Sequence, residues 1–190
     1  MSGQLDYEIN KELGECYLFM GDMDKAEEYY SKAMGCNGVH PEPYLGLATI
    51  AVQRGELEKA MTFYKKASSI APDDRSYAGM ALIETEQGQT EEAMEHFKNA
   101  LAKNPENLVA LFGLVRLAYA AGAQSEAAPH LENYLAIDPL KHEVRYALAG
   151  CLISAGKTDE ACEQLERIVE HDPANAAAIE MLNQLRQDAA

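Results

Sequence analysis

The chain has 190 residues, of which 47% are hydrophobic and 25% charged, the composition of a folded domain with a substantial buried core. Its sixteen basic and thirty-one acidic side chains give a formal net charge of -15, which repels phosphate backbones and makes nucleic acid an unexpected partner. No segment reaches the roughly 18 apolar residues of a membrane span, and the first residues lack a secretory signal pattern, so we expect no membrane insertion and a cytoplasmic location.

A glycine recurs along the chain at nearly constant intervals of 34, 33, 34 and 34 residues. These glycines are Gly21, Gly55, Gly88, Gly122 and Gly156. Five residues after each glycine stands an alanine, and four residues further on stands a large side chain. The alanines are Ala26, Ala60, Ala93, Ala127 and Ala161, and the large residues are Tyr30, Tyr64, Phe97, Leu131 and Leu165. This periodicity predicts five similar structural units.

Each unit has the pattern of two amphipathic helices, because apolar residues recur at three- and four-residue steps on both sides of the glycine. The glycine is expected to end the first helix with a positive φ, and the alanines to lie where paired helices approach closely. A proline closes four of the units, and the Asp or Asn after it can cap the next helix. The prolines are Pro72, Pro105, Pro139 and Pro173, with Gly38 at the corresponding place in the first unit.

These features resemble the tetratricopeptide repeat (TPR) family, whose unit of about 34 residues carries Leu-Gly and Tyr in its first helix and Ala, an aromatic residue and Pro in its second. The first unit matches best, with Leu13, Gly14 and Tyr17 in its first helix. The resemblance implies an all-α fold, a right-handed α-solenoid or superhelix of five helical hairpins plus a carboxy-terminal capping helix. We expect one domain over residues 1–190, with repeats at about 7–40, 41–73, 74–107, 108–141 and 142–175 and the capping helix at 176–188.

The resemblance also implies a protein-protein interaction module, or scaffold, that binds a peptide or protein segment in the concave groove formed by the first helices. At the amino-terminal end the groove positions carry charged residues mixed with apolar ones and a threonine. They are Glu8, Lys11, Glu15, Glu42, Leu45, Thr49, Arg75, Ala78 and Leu82. In the fourth and fifth repeats, three aromatic residues, Phe112, Tyr119 and Tyr146, gather around Arg116. The groove positions of these repeats are Val109, Phe112, Arg116, Tyr119, Glu143, Tyr146 and Gly150. Aromatic and Arg side chains are enriched at binding hot spots. We therefore predict ligand contacts at Phe112, Arg116, Tyr119, Tyr146, Arg75, Leu82 and Lys11, although Phe112 and Tyr119 could instead pack against neighbouring helices.

One subclass of this family binds the carboxy-terminal tails of heat-shock chaperones through Lys, Asn and Arg side chains in its first helices. This chain retains Lys11 but carries Glu15, Gly46 and Gly79 where Asn, Asn and Arg are expected, with Arg75 as a partial substitute. The sequence therefore predicts a different ligand from that of the chaperone-binding subclass.

No motif of a catalytic, phosphate-binding or metal site is present, so we predict no enzyme, no catalytic residue, no metal and no cofactor. The four cysteines, Cys16, Cys36, Cys151 and Cys162, are not spaced as metal ligands and fall where other repeats carry mainly Ile, Leu or Met. We expect them to be small buried residues.

Two alternatives to a free-standing adaptor stay open. The chain could be a docking or regulatory segment of a larger enzyme or of a secretion or assembly machine. It could also associate with itself as a homo-oligomer and act as a structural scaffold.

Overall fold

The computed structural model describes residues 2–36 and 39–188, and within these ranges it contains eleven α-helices and no strands. The chain divides into two compact units, Met1–Asn104 and Pro105–Ala190. Gly38 lies outside the described residues. That both units form a single domain stays a prediction.

The first unit consists of six helices that form three hairpins. They are α1 (Ser2–Phe19), α2 (Met23–Cys36), α3 (Glu42–Gln53), α4 (Leu57–Ile70), α5 (Asp74–Glu86) and α6 (Thr90–Lys103). Each helix packs against the next one in the chain, and α1 also contacts α3. The first helices of successive hairpins therefore lie on one side of the unit.

The second unit consists of two hairpins and a final helix. Its helices are α7 (Leu108–Ala121), α8 (Gln124–Ile137), α9 (His142–Ser154), α10 (Thr158–His171) and α11 (Ala176–Asp188). Here too each helix packs against its successor, so that α11 covers α10. None of the helices in the described ranges is long and apolar enough to cross a membrane.

The recurring glycines end the first helix of every hairpin, as predicted. Their φ angles lie between 69° and 79°, a left-handed conformation that glycine adopts without a steric penalty. The N–H of the residue after the glycine then donates to a carbonyl of the helix, as from Glu56 to Ala51 and from Ala123 to Ala118, both at 2.8 Å. This bonding satisfies carbonyl groups that a helix end would otherwise leave unpaired.

The predicted caps form at three of the helices that follow a proline. The side chain of Asp73 accepts a hydrogen bond from the N–H of Ser76 at 2.8 Å, and Asn107 and Asn175 accept equivalent bonds at 2.9 and 3.1 Å. At α9 the capping position is Lys141, which makes no side-chain cap. The chain is thus turned by a glycine within every hairpin and by a proline after four of the five, with a cap in three of these four cases.

The recurring alanines lie at the tightest packing positions. Ala26, Ala60, Ala93, Ala127 and Ala161 are all 0% exposed. Tyr30, Phe97, Leu131 and Leu165 are also buried, while Tyr64 is half-buried. The small side chain at one position and the large one four residues later therefore share one buried face of each second helix.

Three polar side chains are buried among the residues that the structure describes, and each has a partner. Ser76 donates to the carbonyl of Asp73, and Glu84 lies 2.7 Å from Nδ1 of His96. Arg145 donates to Gln164 and to the carbonyl of Pro139 at 2.7 and 2.6 Å, and burial lowers the pKa of its guanidinium. Arg145 thereby ties α9 to α10 and to the turn before α9.

The expectation of four buried cysteines is wrong for two of them. Cys151 is buried and Cys162 half-buried, but Cys16 and Cys36 are exposed. Cys16 lies on a face of α1, shared with the exposed Leu5 and Ile9, that no other described helix covers. Cys36 is the last residue of α2, and its Sγ accepts a weak hydrogen bond from Asn10 of α1 at 3.9 Å.

We predict that Gly88→Ala lowers the free energy of unfolding by about 1 to 2 kcal/mol, because the left-handed conformation is strained for any residue with a Cβ. No atom lies within 4 Å of the added methyl group, so the loss measures backbone strain alone. Urea denaturation provides the measurement. Gly35→Ala in α2 is the matched control: it also meets open space but needs no positive φ, so it should be neutral or stabilising.

We also predict that Ala93→Leu lowers the free energy of unfolding by about 1 to 3 kcal/mol by overpacking the contact between helices. Ala102→Leu on the same helix is exposed and should change stability by less than about 0.5 kcal/mol. Equal melting temperatures for the two variants would contradict the close approach at Ala93.

Candidate functional site

The predicted ligand-binding residues fall in both units. Lys11, Arg75 and Leu82 belong to the first unit, and Phe112, Arg116, Tyr119 and Tyr146 belong to the second. All seven lie on first helices of hairpins, which are α1, α5, α7 and α9.

A cavity of about 220 Å³ opens between the first helices of the first unit. Among its lining residues are Glu15 of α1, Glu42 and Thr49 of α3, and Arg75 of α5, all of them groove positions in the sequence analysis. Lys11 and Leu82 do not line it. Lys11 forms an ion pair with Glu8 at 3.0 Å, and Leu82 is exposed.

Two tyrosines from second helices also reach this first-unit cavity, which the sequence analysis did not foresee. Tyr30 of α2 and Tyr64 of α4 line it beside Arg75. Each ring passes through a gap left by a glycine on the following first helix. A Cβ on Gly46 would stand 2.3 Å from Cζ of Tyr30, and a Cβ on Gly79 would stand 2.3 Å from Cζ of Tyr64.

This packing explains why glycines replace the polar residues of the chaperone-binding subclass. A side chain at Gly46 or Gly79 would occupy the volume of a tyrosine ring. The signal was visible in the sequence, since Gly46 and Gly79 follow Tyr30 and Tyr64 by a similar interval, while Ala147 stands at the equivalent place after Leu131. Where the second helix carries leucine instead of tyrosine, the following first helix thus carries alanine instead of glycine.

The first-unit cavity carries charges of both signs and neutral hydroxyl groups. Burial raises the pKa of Tyr30 to about 12, with the carboxylate of Glu15 adding to the rise and Arg75 opposing it. Burial also raises the pKa of Tyr64, whose hydroxyl is hydrogen-bonded to Thr49. Both phenols are therefore protonated at neutral pH, and the hydroxyl of Tyr30 is available as a donor. Glu42 accepts a hydrogen bond from Tyr7 at 3.1 Å.

The second unit presents a more aromatic surface. Phe112 is 37% exposed and Tyr119 is 42% exposed, both on α7 with the exposed Arg116. The ring of Tyr119 extends toward α9, where its hydroxyl stands 2.3 Å from the place a Cβ on Gly150 would take. Burial raises the pKa of Tyr119, which is hydrogen-bonded to Ser154 and Cys151 and also interacts electrostatically with Tyr146. Tyr119 thus reaches α9, the helix that carries Tyr146.

Tyr146 is half-buried between two cavities that separate α9 from α11. One cavity is lined by His142, Glu143 and Asp172 together with the apolar Ile168, and we call it the acidic cavity after its two carboxylates. The other, bounded by Ile153, Met181 and Leu185, is the apolar cavity. Both are lined by Tyr146 and by Ala177 of α11.

The contribution of α11 to this surface was missed by the sequence analysis, which treated that helix only as a cap. A step of 34 residues from the groove positions Glu143, Tyr146 and Gly150 leads to Ala177, Glu180 and Gln184. All three line the apolar cavity. The helix therefore presents a groove face of its own, in addition to the apolar face that covers α10.

We predict that Gly46→Ala destabilises the protein by about 1 to 3 kcal/mol, because the new methyl group collides with the ring of Tyr30. In a Tyr30→Leu background, which recreates the pair of residues found at Leu131 and Ala147, the same change should cost little or stabilise the helix. A double-mutant cycle in urea measures the coupling. A coupling energy near zero would contradict the contact.

Comparison with known proteins places these features in a family. The family model described as "Tetratricopeptide repeat" matches residues 20–83, 84–127 and 118–185. The BBSome complex member BBS4 of Bos taurus is 37% identical to the chain over 71 residues, which cover 37% of this chain and 14% of that protein. The chain thus spans only a small part of that relative's length.

Two solved structures are similar over almost the whole chain. PilF of Pseudomonas aeruginosa matches with a TM-score of 0.73 and 18% identity, over 98% of this chain and 86% of that one. YrrB, described as a TPR protein with an unusual peptide-binding site, matches with a TM-score of 0.67 and 16% identity, over 90% and 89%. These similarities show the TPR solenoid fold. Since the family model also matches most of its length, the chain belongs to the tetratricopeptide repeat family, whose members are typically non-enzymatic scaffolds for protein interaction.

Proposed function

We propose that this chain binds a peptide or protein segment on the surface formed by the first helices of its hairpins, and that the main contacts lie in the second unit. The observation that carries the proposal is a set of three accessible aromatic residues on α7 and α9, of which Tyr146 lines two cavities. Phe112, Tyr119 and Tyr146 offer large rigid surfaces with polar hydroxyl groups on the two tyrosines, the properties of binding hot spots.

The second-unit surface suits a ligand with an apolar anchor. The apolar cavity beside Tyr146 measures about 470 Å³ and is lined by Ile153, Met181 and Leu185, enough for a large aliphatic side chain. Arg116 is exposed on α7 and can form a bidentate pair with a carboxylate of the same ligand. Tyr146 lines both cavities, so a ligand in either one would contact its ring.

The first unit supports a secondary contact region. Arg75 and the protonated hydroxyl of Tyr30 form a donor group in the first-unit cavity. Lys11 and Leu82 lie outside this cavity, and their contact with a ligand stays a prediction. The similarity to YrrB, itself described as having a peptide-binding site, supports the same class of ligand.

The remaining parts of the proposal concern partners and location. The net charge of -15 opposes nucleic acid binding, and we propose a protein partner in the cytoplasm. The similarity to a member of the BBSome complex supports the alternative that the chain is a docking segment of a larger assembly. The exposed Leu5, Ile9, Phe19 and Met20 support self-association as a further alternative, which light scattering on a sizing column would detect.

We predict that Phe112→Glu combined with Tyr146→Glu abolishes capture of the partner, since it places charges on both sides of the aromatic surface. Wild type and variant are compared by affinity capture from native lysate with mass spectrometry, after circular dichroism shows that both are folded. The matched control is Ile137→Glu with Leu140→Glu, two exposed apolar residues at the turn between α8 and α9.

A photo-crosslinking residue introduced at Tyr119 would locate the contact directly. A protein that is captured by wild type and control, crosslinks at position 119 and is lost with the double variant supports the proposal. A partner captured equally by all three proteins would place the binding surface elsewhere.

A further inference from the structure

The acidic cavity of the second unit has a chemical character of its own. It encloses about 400 Å³ between the start of α9 and the turn from α10 to α11, and its polar lining includes His142, Glu143, Asp172 and Asn175. Tyr146 forms one wall of this cavity.

One polar atom in this lining lacks a hydrogen-bond partner. Nδ1 of His142 is buried and makes no hydrogen bond, although the ring lies near that of His171, with centroids 6.4 Å apart. A buried polar atom without a partner costs free energy. With its proton on Nε2, the imidazole presents Nδ1 as an acceptor. The atom itself is closed to solvent, so a ligand in the cavity would lie beside the His142 ring rather than on this atom.

The two carboxylates of the cavity carry charge that the described residues do not neutralise closely. Glu143 is 69% exposed, and its nearest cation is Lys141 at 3.9 Å. Asp172 accepts hydrogen bonds from the N–H of Ala174 at 3.3 Å and from Asn175 at 3.2 Å, and no basic side chain of the described chain pairs with it. Each carboxylate can accept further hydrogen bonds from a cation.

The lining residues fit an organic cation better than a metal ion. No group of three or more His, Cys, Asp or Glu side chains that could hold a metal occurs in the part of the chain that the structure describes. The ring of Tyr146 instead provides a flat surface on which a guanidinium or ammonium group can stack. Two carboxylates and one aromatic face match the donors of a basic side chain.

We propose that the acidic cavity binds an arginine or lysine side chain of the ligand, while the apolar cavity on the other side of Tyr146 binds a large aliphatic side chain of the same segment. This inference rests on the proposed function, because it specifies the ligand of the same groove. It defines a binding motif in which a basic residue stands close in sequence to a leucine-like residue. The shared wall at Tyr146 and Ala177 keeps the two side-chain sites adjacent.

The test uses a synthetic probe and does not require the natural partner. The full chain, labelled in its Ile, Leu and Met methyl groups, is titrated with acetyl-Leu-Gly-Arg-Gly-Leu-amide and followed by NMR. The leucines on both sides of the arginine allow either chain direction. Peptides with Lys, Gln or Glu in place of Arg, and one with Ser in place of both Leu residues, complete the series.

We expect the Arg or Lys peptide to bind at least about fivefold more tightly than the Gln peptide, because the neutral Gln side chain cannot make charge-assisted hydrogen bonds to the carboxylates. Signals of Met181 and Leu185 should shift with it, and the Ser peptide should bind more weakly. Glu143→Gln with Asp172→Asn should reduce the affinity for the basic peptide to that for the Gln peptide. The single variant Glu143→Gln, at an exposed site, keeps the test valid if the double variant loses stability.

The matched control is Glu132→Gln with Glu163→Gln, which removes the same charge from exposed positions on α8 and α10. An equal loss of affinity in the control would overturn the inference, because it would mean that the net charge alone attracts the peptide. Equal affinity for the Arg and Gln peptides, or no methyl shift with any peptide, would also overturn it. In each of these cases crosslinking at position 119 would still decide separately whether the groove binds a protein.

Discussion

The close approach of paired helices at a single methyl group is the constraint on which the rest of this structure depends. Five alanines on the second helices are fully buried, and no larger side chain fits at such a position without separating the helices. The hairpin turns position the two helices for this contact. A left-handed glycine reverses the chain within a few residues, so each second helix begins beside the end of the first. Once this geometry repeats, the first helices of each unit must lie side by side and form a common surface.

The two units form that surface in different ways. In the first unit, tyrosines of the second helices extend between first helices through gaps left by Gly46 and Gly79. In the second unit, the aromatic side chains belong to the first helices themselves, and α11 supplies apolar residues along their edge. The first-unit surface is therefore narrow, polar and charged with both signs, whereas the second-unit surface is wider and more apolar.

Features that depend on local backbone chemistry could be predicted from the sequence. The positive φ at the five glycines, the caps at Asp73, Asn107 and Asn175, and the burial of the recurring alanines all follow from which residue fits a given backbone position. The helix phase on α7 was also predictable, since Phe112, Arg116 and Tyr119 are exposed together.

Features that depend on which neighbour is present could not be predicted from a repeat pattern. Cys16 occupies a position that is apolar in other repeats, but it lies on a face of α1 that no described helix covers. Tyr30 and Tyr64 had the pattern of core residues, and only the glycines opposite them show that their hydroxyls reach a cavity. The acidic cavity depends on His142, Asp172 and Asn175, which come from separate helix ends and turns and from no shared motif.

The tyrosines that pass beside Gly46 and Gly79 have a consequence for how this protein can diversify. In the first unit, a residue that shapes the ligand surface is at the same time a packing residue, so a new recognition property there requires paired changes in two helices. In the second unit, Phe112 and Arg116 extend from the surface and can be exchanged one at a time with little effect on folding. Selection for a new partner should therefore alter α7 and α9 readily, while the surface of α1, α3 and α5 changes slowly. One chain would then combine a conservative recognition surface with an adaptable one.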